Sequence, residues 1–280
     1  MVKEHRMKKP AILLAAVACL SVALLSTVSA ARDTTTDRTR GGHDVYRTPD
    51  LIGKTVRNNA GDSLGHIEDF VVNMKNGHIA YAVLAHGEVL GFGGKMFAVD
   101  AADLKMAEDR SALLFDVTKD DLEKTSGFDA NKWPSQPDDR LRGNKRGGNT
   151  VGAAVGKAAD AVASVADKDA ELRRVTAIMR LAVKSQDGES LGQVAGLAMD
   201  LHNRKVVYVA MSRGGIAGVG TKYYALPWNA LECKSLDKTA HKVFVIQASK
   251  DDFDKNGGFE WRNWPNEPDS HFKARNTRGS

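Results

Sequence analysis

From residue 63 onward, apolar and polar side chains alternate in short runs bounded by turn-forming residues. HIEDFVVNM (66–74) reads as a strand, Asn76-Gly77 as a tight turn, and HIAYAVLAH (78–86) as the returning strand. MFAV (96–99) and ALLFDV (112–117) are shorter strands. The same order recurs later as QVAGLAMDL (193–201), Asn203-Arg204, KVVYVAMS (205–212), YYAL (223–226) and KVFVIQ (242–247). Thr118-x-x-Asp121 and Ser249-x-x-Asp252 each predict a short helix opened by a hydroxyl N-cap with an acid at its third position. Several short strands separated by turn signals, with one short helix, predict a mainly β fold: a small barrel or sandwich, present twice.

The recurrence keeps register. At an offset of 127, 12 of the 47 positions in 60–106 are identical, and at 131, 10 of the 21 in 118–138. Gly61-Asp62-Ser63-Leu64-Gly65 answers Gly188-Glu189-Ser190-Leu191-Gly192, Tyr81 answers Tyr208, and Trp133-Pro134 answers Trp264-Pro265. A period this long indicates two duplicated domains rather than stacked solenoid repeats. Domain 1 is expected over 45–139 and domain 2 over 176–269. Between them, 140–175 reads as a basic, glycine-rich linker followed by an alanine-rich helix from 151. Residues 31–44 and 270–280 read as solvated segments, and each domain is expected to fold without the other.

Residues 1–30 change the meaning of the composition. Lys3, Arg6, Lys8 and Lys9 precede the apolar run AILLAAVACLSVALL (11–25), and Val28-Ser29-Ala30 is a small-x-small cleavage site. That is the layout of a secretory signal peptide cut after Ala30, which predicts a periplasmic protein with no membrane insertion after processing. The full chain has 40 basic and 35 acidic side chains, net +5. Cleavage leaves 36 and 34, net +2, so most of the apparent case for a nucleic-acid partner leaves with the signal. Cleavage also leaves Cys233 alone, either buried or able to link two chains.

Three features resemble the PRC-barrel family. Asp50-Leu51-Ile52-Gly53-Lys54-Thr55-Val56 leads into Gly61-Asp62-Ser63-Leu64-Gly65-His66-Ile67-Glu68-Asp69. The hairpin Gly91-Phe92-Gly93-Gly94-Lys95 recurs as Gly218-Val219-Gly220-Thr221-Lys222. A strand then runs into Ala225-Leu226-Pro227-Trp228-Asn229-Ala230-Leu231. The first copy departs at the last feature, with Asp100-Ala101 where the second has Pro227-Trp228, and the second lacks the Leu-Ile-Gly-Lys step. The resemblance implies two small β-barrels acting as binding or adaptor modules. The H subunit of the purple-bacterial photosynthetic reaction centre, for whose cytoplasmic domain the family is named, adds by analogy a regulator of a membrane electron-transfer complex.

Candidate chemistry is sparse. Gly87-x-x-x-Gly91-x-Gly93-Gly94-Lys95 is no phosphate loop, because Val89 stands where its first glycine belongs and a strand follows the lysine. His66, Glu68, Asp69, His78 and His86 could meet on neighbouring strands and hold a metal or small ligand, which is the enzyme alternative. The second copy has Gln193, Ala195, Gly196, Lys205 and Arg213 there, so the fold does not need that cluster. No catalytic centre, metal or cofactor is expected. Partners are expected to be proteins, through the divergent residues His66 and His78 and a positive patch of Arg140, Arg142, Lys145 and Arg146. Phe128, Trp133, Phe259, Trp261 and Trp264 are assigned to closing one end of each barrel, because Gly-Phe and Trp-Pro recur in both copies.

Overall fold

A computed structural model describes residues 44–87, 94–142, 171–215, 220–235 and 241–272. Each copy opens on a short arm: β1 (Val45–Arg47) and the helix Thr48–Leu51 in the first, β8 (Leu172–Arg174) and the helix Val175–Ile178 in the second. The first copy continues through β2 (Thr55–Arg57), β3 (Ser63–Asn73), β4 (Ile79–His86), β5 (Lys95–Val99), β6 (Lys105–Met106) and β7 (Leu113–Leu114). The second continues through β9 (Ala182–Ser185), β10 (Ser190–Asp200), β11 (Lys205–Arg213), β12 (Lys222–Pro227), β13 (Leu231–Ser235) and β14 (Lys242–Ile246). Both sheets share one order, β5-β4-β3-β2-β7-β6 and β12-β11-β10-β9-β14-β13, with parallel pairing at β2–β7 and β9–β14.

The mainly β expectation is met, but the sheets do not close into barrels among the described residues. The free edge of β5 is taken by the chain after the helix Lys119–Lys124. Phe128 N–H donates to the Met96 carbonyl and Asp138 N–H to the Ala98 carbonyl, both at 2.8 Å. In the second copy Tyr223 and Phe259 exchange two backbone bonds, and Asp269 N–H donates to the Ala225 carbonyl at 2.8 Å. The segment thus occupies the edge along which a closing strand would pair. The Trp-Pro segments are further held by buried tyrosines: Tyr81 Oη donates to the Pro134 carbonyl and Tyr208 Oη to the Pro265 carbonyl, each at 2.7 Å. Burial pushes both phenols up.

The arms are exchanged. β1 of the first copy pairs with β10 of the second (Tyr46 opposite Met199), and β8 of the second pairs with β3 of the first (Arg173 opposite Val72). The two hairpins meet on a pseudo-dyad, where Ile79 N–H donates to the Arg204 carbonyl and Val206 N–H to the Gly77 carbonyl. One apolar core runs through both copies, containing Ile67, Phe70 and Leu84 with Val194, Leu197 and Phe244. Each copy lends the other a strand and they share a core, which argues against the expectation of independent folding. Residues 172–174, read as the end of an alanine-rich helix, are strand; the rest of that helix, 151–170, lies outside the described residues. Leu141 and Phe272, read as linker and tail, are buried, and Phe272 stacks on Phe253 at 4.6 Å.

Where the copies face each other their differences compensate. Trp228 packs on the hairpin at Gly77, where any Cβ would come within 2.8 Å of the indole. At the dyad-related place Gly77 becomes Arg204 and Pro227-Trp228 becomes Asp100-Ala101. There Arg204 Nη1 pairs with Asp100 Oδ2 at 3.0 Å, with both side chains largely buried.

Candidate functional site

The predicted histidines separate. His66 and His86 line one cavity of about 500 Å3 in the first copy, with Ser63, Gly65, Lys119 and Glu123. His86 Nδ1 donates to the Leu64 carbonyl at 2.7 Å, which leaves Nε2 as the acceptor nitrogen. His66 Nε2 lies 3.5 Å from Glu68. His78 instead sits on the pseudo-dyad opposite Lys205. Asp69 is buried and holds the second copy's arm, accepting from Thr176 N–H and Thr176 Oγ1. Among the described residues no group of three or more His, Cys, Asp or Glu is placed to hold a metal ion. In the second copy Arg213 replaces His86, reaching the matching Leu191 carbonyl at 3.4 Å and Asp254 at 3.0 Å.

The positive patch is largely answered locally. Arg140 makes two bonds to Asp138, at 2.9 and 2.7 Å, and Arg142 bonds Asp139 at 3.0 Å. Lys145 and Arg146 lie outside the described residues. Cys233 is half-buried on β13, and burial pushes its thiol up, away from reactivity.

The aromatic residues form a site that sequence reasoning only half saw. Phe128 and Trp133 cover the outer face of the first sheet against Val71, Tyr81, Val83 and Ala98. Phe259 and Trp264 cover the second against Ala198, Tyr208, Ala210 and Ala225. The two pairs have nearly the same geometry, with centroids 5.4 Å apart at 62° and 5.7 Å apart at 60°. They do pack on their own sheets, as a structural role requires.

Two further rings exist only in the second copy. Tyr223 stands where the first has Met96, and Trp261 where it has Ala130. Tyr223 lies 5.0 Å from Trp261 at 52°, and Trp261 lies 5.1 Å from Trp264 at 77°. Trp261 is 38% exposed, the large apolar side chain most open to water among the described residues. Trp133 Nε1 donates to the Ala130 carbonyl at 2.7 Å, whereas Trp264 Nε1 is buried without a partner. Lys222 and Glu260 close the rim with an ion pair at 2.8 Å. Trp261, assigned by its size to closing a barrel end, instead stands outside the sheet cover that Phe259 and Trp264 form. Tyr223 was not legible, because within YYAL it reads as an ordinary strand residue.

The PRC-barrel domain matches the chain twice, over residues 43–122 and 171–253. The chain belongs to the PRC-barrel family. The matched segments take in both exchanged arms and stop short of both Trp-Pro segments. The aromatic cluster of the second PRC-barrel copy is thus built from one residue inside the matched region, Tyr223, and three beyond it. No curated protein matches the chain.

Proposed function

We propose that the protein is an exported, non-catalytic docking protein whose paired PRC-barrel copies present a partner-binding surface in the cell envelope. The observation that carries this reading is the surplus pair Tyr223 and Trp261. The first copy keeps the same sheet cover with Met96 and Ala130, so the fold does not require these rings. Tyrosine and tryptophan supply large contact area at low entropic cost and dominate binding hot spots. Residues 1–30, with their charged, apolar and small-residue order, support export.

The test places a photo-crosslinking residue at 261 or, as control, at 130 in cells producing the protein. The exported form is expected to have an intact mass beginning at Ala31. A discrete partner adduct is expected from 261, lost on Tyr223→Met and absent from 130. No adduct from 261, or equal adducts from both positions, overturns the docking role.

A further inference from the structure

We propose that the face formed by Tyr223, Trp261 and Trp264 binds a proline-rich segment of a partner protein in the polyproline II conformation. This rests on the docking reading above and names the chemistry of the docked segment. Two features point to it.

The first is ring geometry. Successive planes are inclined by 52° between Tyr223 and Trp261 and by 77° between Trp261 and Trp264. Inclined rings make a row of ridges and notches rather than a flat platform. A sugar ring stacks its flat face on a flat aromatic face. A pyrrolidine ring enters a notch edge-on, and the three-residue turn of polyproline II repeats that ring at even spacing.

The second is hydrogen-bond polarity. Tyr223 Oη and Trp261 Nε1 make no hydrogen bond among the described residues, and Arg262 follows Trp261 exposed. The carboxylate at the rim, Glu260, is held by Lys222. Trp261 Nε1 and the Arg262 guanidinium are donors, and Tyr223 Oη can donate as well as accept. A proline-rich strand is the complementary ligand: its carbonyls are unpaired in polyproline II, and its prolines carry no N–H needing an acceptor. Trp264, whose ring centre lies 5.1 Å from that of Trp261, keeps its Nε1 buried without a partner.

Titration calorimetry of the full chain with decaproline is the direct test, with chitohexaose as the competing probe. Saturable decaproline binding is expected, weakened about tenfold or more in the double variant Tyr223→Met, Trp261→Ala. That variant takes residues the first copy already carries, so its fold is expected to survive, as checked by its melting temperature. Should it unfold, the single change Trp261→Ala decides in its place. The proposal is overturned if the unaltered chain gives no heat with decaproline, if chitohexaose binds instead, or if the variant binds decaproline unchanged. If decaproline fails while residue 261 still cross-links a partner, the polyproline assignment falls and docking stands. If both fail, docking falls as well.

Discussion

The N–H at the bulge of each long strand finds its acceptor by a different route in each copy. In the first, Phe70 N–H donates to Asp69 Oδ1 at 2.8 Å, and the same carboxylate takes two bonds from Thr176 on the other copy's arm. In the second, Gly196 offers no side chain, and Leu197 N–H donates to Thr48 Oγ1 at 3.0 Å, again from the opposite arm. Both routes satisfy a buried donor through the exchanged arm. Burial pushes the Asp69 carboxyl above its ordinary value, against the pull of its bonds from Thr176 and Phe70 and the charge of Arg174. A carboxyl raised in the fold binds its proton more tightly there than in the unfolded chain. The stability this contributes is complete below the ordinary carboxylate range and fades as pH rises through the raised value. In urea titrations the stability of the unaltered protein relative to Asp69→Asn should therefore fall with rising pH across that window. A rise would mean that the carboxylate is held ionised. Asp69→Ala should cost about 1–3 kcal/mol by leaving buried donors unmet.

At the level of elements, the glycines of the repeated Asp/Glu-Ser-Leu-Gly step explain why β3 and β4 can approach. Gly65 has φ +131°, and any Cβ there would run into the Ala85 carbonyl; Gly192 meets Ser212 in the same way. Gly65→Ala is expected to destabilise by more than about 2 kcal/mol, read from the urea midpoint, while Gly61→Ala, with open space around it, should cost less. The long strands β3, β4, β10 and β11, the edge strands β5 and β12, β14, the hairpin turns and both capping boxes were legible because each is encoded by neighbours in sequence. By contrast, ALLFDV (112–117) is strand only at Leu113–Leu114, and the short strands β2, β6, β9 and β13 gave no run long enough to read. The edge cover was not legible either. Phe128 reaches Met96 and Asp269 reaches Ala225 across more than thirty residues, and neither partner carries a side-chain signal of a backbone bond. The site divides along the same line. Trp261 shows itself by size and context, but its meaning depends on Tyr223, which only the β12 edge brings beside it.

At the scale of the molecule, duplication was plain in sequence and exchange was not, because β1 and β8 are three-residue strands whose composition suits either sheet. The exchange predicts how the chain divides. Residues 44–142 and 171–272 produced as separate polypeptides should each fold poorly alone, yet copurify one-to-one when produced together and melt in a single transition. Two independent cooperative melts from the separate pieces would show that the arms are dispensable.

The unequal contacts across the pseudo-dyad carry this further. A chain made of two first copies would set the Asp100 carboxylate against Gly77 with no guanidinium to meet it. A chain made of two second copies would drive Trp228 into Arg204. Removing Arg204 alone strands a largely buried charge, at a cost of about 3–5 kcal/mol. Enlarging Gly77 evicts an indole. The halves are thus no longer interchangeable parts, although their sheets superpose in order and register. They have become a fixed pair of complementary halves, and a shortened descendant that kept either one would inherit a surface shaped for a companion it had lost.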